Sequence, residues 1–255
     1  MSNILAIAQK EVKAYFESPI AYVFIGFFAL LFGYFFIALL SFFNQQSMQM
    51  ASMGGDAALN INQQLITPLF LNTSVVVLFV LPTITMRTYS EEKRSGTIEL
   101  LLTSPLTDFQ IVIGKFLGAL TLYAALLAVT FVHMGILFIF GKPEFWPVAM
   151  GYLGMLLMGG CFISVGLLIS SLTKNQIVAA MVTFAVFLLL WVIDWISSFT
   201  SPMMQQVLTY LSITQHLDDF TKGVLDTKHL VYYLSFISFG LFLTARSVET
   251  ERWRG

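Results

Sequence analysis

Charged residues and cysteine are the scarcest features of this sequence. Only 11% of its 255 residues are charged, the formal net charge is −1, and Cys161 is the single cysteine. Soluble domains carry about 25% charged residues, so this composition is not that of a soluble domain. The lack of a basic excess excludes a nucleic-acid binder. A single cysteine excludes an internal disulfide framework and a cysteine-rich metal site.

Motifs for nucleotide and metal chemistry are also missing. The chain has no G-x-x-x-x-G-K-[ST] motif, and its Gly-Lys pairs at Gly114 and Gly141 are followed by Phe and Pro. ATP hydrolysis by the P-loop route would therefore need a second subunit. Soft-metal binding by Met48, Met50 and Met53 is a minor alternative. We expect a non-enzymatic chain with no catalytic residue, no cofactor site and no metal site.

Apolar residues are abundant instead. Hydrophobic residues make up 57% of the chain, Phe occurs 25 times, and the mean hydropathy is +0.82. A soluble protein of this size could not keep so much apolar surface out of water. The apolar runs are continuous rather than alternating, which excludes a membrane β-barrel. The composition predicts an all-α polytopic membrane protein.

Six apolar runs are long enough to cross a bilayer, since a spanning helix needs about 20 mostly apolar residues. The third run is long enough to tilt or to extend past the bilayer, and Pro82 is expected to bend the second. We predict a six-helix transmembrane domain over residues 20–246, followed by a cytoplasmic tail over residues 247–255. The predicted spans are residues 20–43, 67–86, 111–140, 148–171, 176–199 and 230–245.

The distribution of Lys and Arg predicts the orientation. With a cytoplasmic N-terminus, ten cationic residues lie inside and three lie outside, which satisfies the positive-inside rule. An even number of spans returns the C-terminus to the cytoplasm. We expect a multi-pass protein of the bacterial inner membrane with both termini cytoplasmic. The inside set is Lys10, Lys13, Arg87, Lys93, Arg94, Lys115, Lys174, Arg246, Arg252 and Arg254, and the outside set is Lys142, Lys222 and Lys228.

Two segments outside the spans have apolar helical patterns. Within residues 1–19, apolar side chains recur at helical spacing until the break at Ser18-Pro19. This pattern predicts an amphipathic helix on the cytoplasmic membrane surface, with a cytosolic extension of the first span as the alternative. Residues 203–213 are too short to span and too apolar for a free loop. They predict an external re-entrant or interfacial helix, with His216, Asp218, Asp219 and Asp226 at the external water face.

The loop of residues 87–110 contains two short helical patterns. Thr88 and Glu91 have the spacing of a capping box, which predicts a charged helix that Gly96 interrupts. Thr97 is placed to cap a second helix over residues 98–103.

This second helix carries apolar side chains beside a charged flank. Ile98, Leu101 and Leu102 share one side, a pattern suited to docking into a groove of a partner. The alternative is a helix lying flat on its own membrane domain. The charges of the flank are Glu91, Glu92, Lys93 and Arg94.

Few ionisable or small residues stand out within the spans. Asp194 is the only acid in a span, and His133 lies in the outer half of the third. Ionisable residues in lipid are costly, so both are candidates for a substrate path. An interfacial Asp between two Trp residues and a helix-contact His are the structural alternatives. Gly114 and Gly118 have a helix-packing spacing, a weak indication of a dimer face.

The run E-E-K-R-S-G-T-I-E-L-L-L-T-S-P-L over residues 91–106 follows the second span. The chain opens with Q-K-E-V-K at residues 9–13 and S-P-I at residues 18–20. Essentially throughout, it resembles the permease subunits of ABC-2 type transporters. It more closely resembles the gliding-motility-associated GldF-like permeases, and also the NosY-like permeases of copper-enzyme maturation.

The resemblance implies a type V exporter fold that works with other subunits. These are a second permease copy or homologue, two copies of a cytoplasmic ABC ATPase that bind ATP and Mg, and, in the gliding-type subgroup, a companion membrane protein with a large external domain. Residues 202–223 resemble the external re-entrant helices. A NosY-like permease for metalloenzyme maturation, a passive channel and a structural membrane anchor stay open as alternatives. The ATPase-coupling residues that it implies are Glu91, Glu92, Lys93, Arg94, Gly96, Thr97, Ile98, Glu99, Leu100, Leu101, Leu102 and Thr103.

Overall fold

A computed structural model describes residues 2–53, 60–197 and 199–254, with the side chains of all of these except Ser2, Leu102, Asp194, Ser197 and Arg254. Every regular element in these ranges is helical, and six helices are long and apolar enough to cross a membrane. The predicted all-α polytopic architecture is confirmed. The helices are α1 (Ser2–Glu17), α2 (Pro19–Ser52), α3 (Thr67–Thr85), α4 (Ser90–Ser95), α5 (Ile98–Leu102), α6 (Asp108–Val129), α7 (Phe131–Phe140), α8 (Phe145–Leu172), α9 (Gln176–Ser197), α10 (Pro202–Leu211), α11 (Ile213–Thr221) and α12 (Thr227–Arg254), and a π-helical turn, Asn62–Ile66, precedes α3.

The apolar runs correspond to α2, α3, α6 with α7, α8, α9 and α12. Two of these helices extend furthest beyond the predicted spans, because α2 continues to Ser52 and α12 to Arg254. No Gly or Pro occurs between Gly33 and Gly54 or between Gly240 and Gly255, so nothing local interrupts the hydrogen-bond ladder. Residues 44–52 and 247–254 are therefore helical rather than loop and tail.

The third run is divided into α6 and α7 at Thr130. Its hydroxyl lies 2.6 Å from the carbonyl oxygen of Leu127, to which it donates, and 2.6 Å from the hydroxyl of Tyr152. A Thr that bonds back to the preceding turn competes with the helical ladder. Together α6 and α7 still form a 33-residue candidate span.

The core is built around α8, which packs against α3, α6, α11 and α12. Small buried residues of α8, among them Gly159 and Gly166, let neighbouring helices approach closely. By contrast, only 17% of the most apolar window of α2, and the same share of α9, is buried. These two helices keep apolar faces for lipid or for another helix.

The short helices lie at the two ends of the bundle. Ion pairs join Glu11 of α1 to Lys115 of α6, and Arg252 of α12 to Asp108 of α6, so these segments share one end with α4 and α5. We call this the α4–α5 end. At the other end, the α10–α11 end, the helix predicted for residues 203–213 is α10, and α11 follows it. They are separated by Ser212, which has extended backbone and whose side chain accepts a hydrogen bond from the Gln215 amide.

Candidate functional site

The predicted coupling loop forms α4 and α5, joined at Gly96. Gly96 has a φ of 75°, which L-residues adopt only with strain, so glycine suits this turn. The predicted cap at Thr88 is wrong, because the N-cap residue of α4 is Tyr89. Thr97 is the N-cap residue of α5, as predicted, but its side chain makes no capping hydrogen bond. The hydroxyl of Thr97 instead lies 2.9 Å from that of Ser95.

A tertiary contact replaces the local cap at the start of α4. The amides of Tyr89 and Ser90 each donate to the hydroxyl oxygen of Ser170, at 3.1 Å. Ser170 is fully buried in α8 and donates in turn to the carbonyl of Met86 at 3.1 Å. Free amides at a helix start need acceptors, and α8 supplies one here. Sequence reasoning could not find this role, because Ser170 is 80 residues further along the chain.

A buried lysine joins three helices at the α4–α5 end. Lys115 of α6 is 1% exposed, and its ammonium lies 2.9 Å from Oε1 of Glu11 in α1 and 2.8 Å from Oε1 of Glu92 in α4. It also donates to the carbonyl of Thr88 at 3.0 Å. A buried ammonium is tolerated when carboxylates and further acceptors surround it. The sequence does place Lys115 inside an apolar run, and a lysine there needs buried partners, which is the one feature from which this role could have been predicted.

The same segment is bound to the end of α12. Lys93, whose side chain is 7% exposed, lies 2.9 Å from Glu251. Arg252 lies 2.8 Å from Asp108 and donates to the carbonyl of Leu106 at 3.1 Å. Residues 247–254, predicted as a tail, therefore contact the chain in α4, at Lys93, and directly after α5, at Leu106 and Asp108.

These contacts divide the predicted coupling residues into two groups. Ile98 is buried and Leu101 packs partly buried against the core, while Glu92 and Lys93 are ion-paired within the chain. Ile98 and Leu101 therefore face the bundle, which is the alternative arrangement, a helix lying against its own membrane domain. Leu100 is 74% exposed, and the side chain of Leu102 lies outside the described part. The residues that face outward are Glu91, Arg94, Gly96, Thr97, Glu99, Leu100 and Thr103.

The two glycines of α6 pack against α1 rather than forming a free face. A Cβ atom at Gly114 would lie 2.6 Å from Cβ of Ile7, and one at Gly118 would lie 2.6 Å from Cβ of Glu11. Glycine at both positions allows α1 to approach the backbone of α6. The indication of a dimer face was wrong, since this contact lies within one chain.

Of the two candidates for a substrate path, the structure describes the side chain of His133 only. His133 of α7 is half-buried and packs against the rings of Phe32 and Phe36, with centroids 5.4 Å and 5.7 Å away. This is the helix-contact arrangement. The side chain of Asp194 lies outside the described part of the chain, so a role for either residue stays a prediction.

A histidine pair lies at the α10–α11 end. His216, expected at the water face, is 3% exposed, and its Nε2 donates to the carbonyl of Tyr210 at 2.9 Å. Its Nδ1 faces Nδ1 of His229, whose Nε2 lies 2.9 Å from Asp219. Burial lowers the pKa of His216. No group of three His, Cys, Asp or Glu residues within the described ranges is arranged to hold a metal ion.

The comparisons with known proteins agree with this architecture. The profile described as "ABC-2 family transporter protein" matches residues 5–246. The chain belongs to the ABC-2 family. Its six candidate spans make it a membrane component, a permease, of that family.

Two curated relatives resemble part of this ABC-2 permease. Both are named probable multidrug ABC transporter permease YbhR, one from Escherichia coli strain K12 and one from Escherichia coli O157:H7. Each is 33% identical over 146 residues, which is 55% of this chain and 38% of the relative. The match thus covers well under half the length of either relative.

Proposed function

We propose that this ABC-2 permease is the membrane subunit of an ATP-driven transporter and that α4 and α5 couple it to a separate cytoplasmic ATPase. The observation that carries the proposal is the two-sided α4–α5 segment. Its inner side is bound to α1, α6 and α12 by Lys115 and Lys93, and Arg252 of α12 binds Leu106 and Asp108, which follow α5. Its outer side presents Glu99, Leu100 and Thr103.

This arrangement is suited to transmitting a movement of the ATPase to the membrane spans. A segment held only by backbone would move independently of the spans, whereas the buried pairs of Lys115 connect α4 to α6 and α1, and the half-buried Lys93–Glu251 pair connects it to α12. An exposed Leu flanked by polar side chains is suited to a groove on a partner. The ATPase would bind ATP and Mg, because the permease has no P-loop motif.

The proposed assembly has two permease chains and two ATPase copies in the bacterial inner membrane. The α4–α5 end, with both termini, is assigned to the cytoplasm because ten of the 13 Lys and Arg residues fall in the predicted inside set. The weakly buried faces of α2 and α9 leave room for a second permease copy.

A gliding-motility type is proposed from the run at residues 91–106. A companion membrane protein with a large external domain would accompany that type. A NosY-like role in metalloenzyme maturation is the alternative. The proteins that copurify from native membranes separate the two, since a large external-domain companion is expected only for the first.

Coupling is tested by substitutions on the outer side of α5. Permease variants Leu100→Ser and Glu99→Gln are expected to reduce the amount of copurified ATPase or its stimulated ATP hydrolysis. The matched control is Leu225→Ser, which changes a 50% exposed leucine near the other end of the bundle. Unchanged recovery and unchanged hydrolysis in both α5 variants would contradict the proposal, as would full activity of a permease that has no ATPase partner.

A further inference from the structure

A cavity of about 370 Å³ lies beside the Lys115 network, between α1, the start of α2, the end of α3 and α4. Its volume is that of a small-molecule site. One wall is apolar and includes Phe24, Ile84 and Leu122. The polar lining of the cavity includes Thr88 and Glu92. A molecule that fills this cavity must therefore have both an apolar and a polar part.

One oxygen atom of the polar lining lacks a hydrogen-bond partner among the residues that the structure describes. Thr88 is 5% exposed, and its hydroxyl interacts with that of Tyr15. Glu92 uses Oε1 for Lys115, while its Oε2 is buried without a partner. A buried carboxylate oxygen without a donor is costly. A carboxylate is an acceptor only, so the missing group is a hydrogen-bond donor, and a cation is favoured.

Two charged side chains at the rim are also free. Arg87 and Glu91 both line the cavity and are exposed. Neither makes an ion pair with any residue in the described ranges, although Lys10 at the same rim lies 3.6 Å from Glu92. The cavity therefore offers one free cation and one free carboxylate at its mouth, beside an unpaired carboxylate oxygen further in.

We propose that this cavity binds an aminophospholipid, such as phosphatidylethanolamine. The primary ammonium of the headgroup would donate to Glu92 Oε2 and Thr88 Oγ1, with Glu91 beside it. Arg87 would bind the phosphate, and an acyl chain would lie along the apolar wall. That wall continues into lipid-facing surface, because Ile20 at the cavity is 37% exposed and Val23 on the next turn is 67% exposed.

The chemistry of the cavity favours this lipid over other common ones. The orphan oxygen of the Glu92 carboxylate favours a charged donor, whereas an anionic headgroup such as phosphatidylglycerol offers only neutral hydroxyl donors. A choline headgroup carries a positive charge but no N–H donor, so it cannot satisfy the orphan oxygen of Glu92. The proposal does not depend on the coupling role of α5.

Native mass spectrometry of the full-length permease with its natural subunits tests the proposal. The probes are phosphatidylethanolamine, phosphatidylcholine and phosphatidylglycerol with identical acyl chains, supplied at equal amounts. Phosphatidylethanolamine should be retained about tenfold better, the change expected from a charged hydrogen bond. Equal retention of the three lipids would overturn the proposal.

Rim variants and matched controls locate the binding. Glu91→Gln and Arg87→Gln should each lower retention of phosphatidylethanolamine several-fold. Thr88→Val, which keeps the side-chain shape, should do the same. The controls Glu144→Gln and Lys174→Gln make the same charge changes at exposed residues outside the cavity and should leave retention unchanged. Unchanged retention in all three cavity variants would overturn the proposal.

A competition experiment distinguishes a phospholipid from another hydrophobic cation. Dodecylamine has an ammonium and an alkyl chain but no phosphate, and it is used as a competitor. A phospholipid site is supported if dodecylamine competes only weakly and competes equally in the Arg87→Gln variant. The same variant should lose phosphatidylethanolamine. Displacement of the lipid by dodecylamine at equal concentration would overturn the phospholipid assignment.

Discussion

The ammonium of Lys115 lies 2.8 Å from Oε1 of Glu92, and the lysine is 1% exposed. This contact fixes α4 to α6 across 23 residues of sequence. The predicted charged flank, residues 91–94, is therefore not entirely exposed to solvent. Its Glu92 belongs to the interior of the bundle, and a displacement of α4 must move α6 or break a buried ion pair.

Removal of Lys115 should destabilise the whole bundle. Lys115→Met leaves the carboxylates of Glu11 and Glu92 without their buried cation, and loss of one partner from such a pair costs about 3–5 kcal/mol. We expect a clearly lower Tm for the detergent-solubilised variant. Addition of Glu11→Gln and Glu92→Gln to the same chain should restore part of the loss.

The matched control for this prediction is Lys174→Met. Lys174 is exposed and makes no ion pair with residues of the described ranges. Its replacement should leave the Tm unchanged. Equal Tm values for the two Lys→Met variants would show that the Lys115 network contributes no net stability.

The contact between α1 and α6 should not tolerate a methyl group. Gly114→Ala and Gly118→Ala each place a Cβ atom 2.6 Å from an α1 side chain, and such overpacking costs about 1–3 kcal/mol. We expect a lower Tm and faster proteolysis of α1. Gly26→Ala and Gly135→Ala are the controls, because a Cβ atom there meets nothing within 4 Å. Similar losses for all four variants would contradict the close packing.

Ile98 and Leu100 should respond in opposite ways to truncation. Ile98 is 7% exposed and Leu100 is 74% exposed. Ile98→Ala should cost about 2–5 kcal/mol, the range for buried aliphatic residues, and lower the Tm. Leu100→Ala should change stability by less than about 0.5 kcal/mol while it weakens ATPase recovery. A lower Tm for Leu100→Ala than for Ile98→Ala would show that the outward face is assigned wrongly.

Acid should loosen the α10–α11 end through His216. Burial lowers the pKa of His216 in the folded protein, whereas an unfolded histidine has a pKa of about 6.5. As the pH falls below about 6.5, the unfolded chain takes up a proton before the folded chain does, so stability declines. His229, Asp219 and Lys228 are the charged or titratable neighbours that modulate this proton uptake.

The measurement is the Tm of the solubilised protein at pH 7.5 and pH 5.5. His216→Gln should lose less Tm between these two values than the unaltered chain. An equal or larger loss in His216→Gln would place the acid sensitivity in other groups.

Local sequence pattern was a good guide to some features at the α4–α5 end and a poor guide to others. Gly96 marks the turn between α4 and α5 because a positive φ is a local backbone property. The same local reasoning placed a cap at Thr88, where the structure has Ser170 of α8 as the acceptor. Ile98 and Leu100 differ little in hydrophobicity, so only the position of the bundle decides which is buried.

The sequence by itself determined the class of this protein and the number of its spans. Unbroken apolar runs about as long as a bilayer is thick have few other stable solutions, so six spanning helices follow from length and hydropathy alone. Only the tertiary structure decided the partners of Lys115, Lys93 and Arg252. Coulombic contacts depend on distance in space, and residues far apart in the chain meet only after the helices pack.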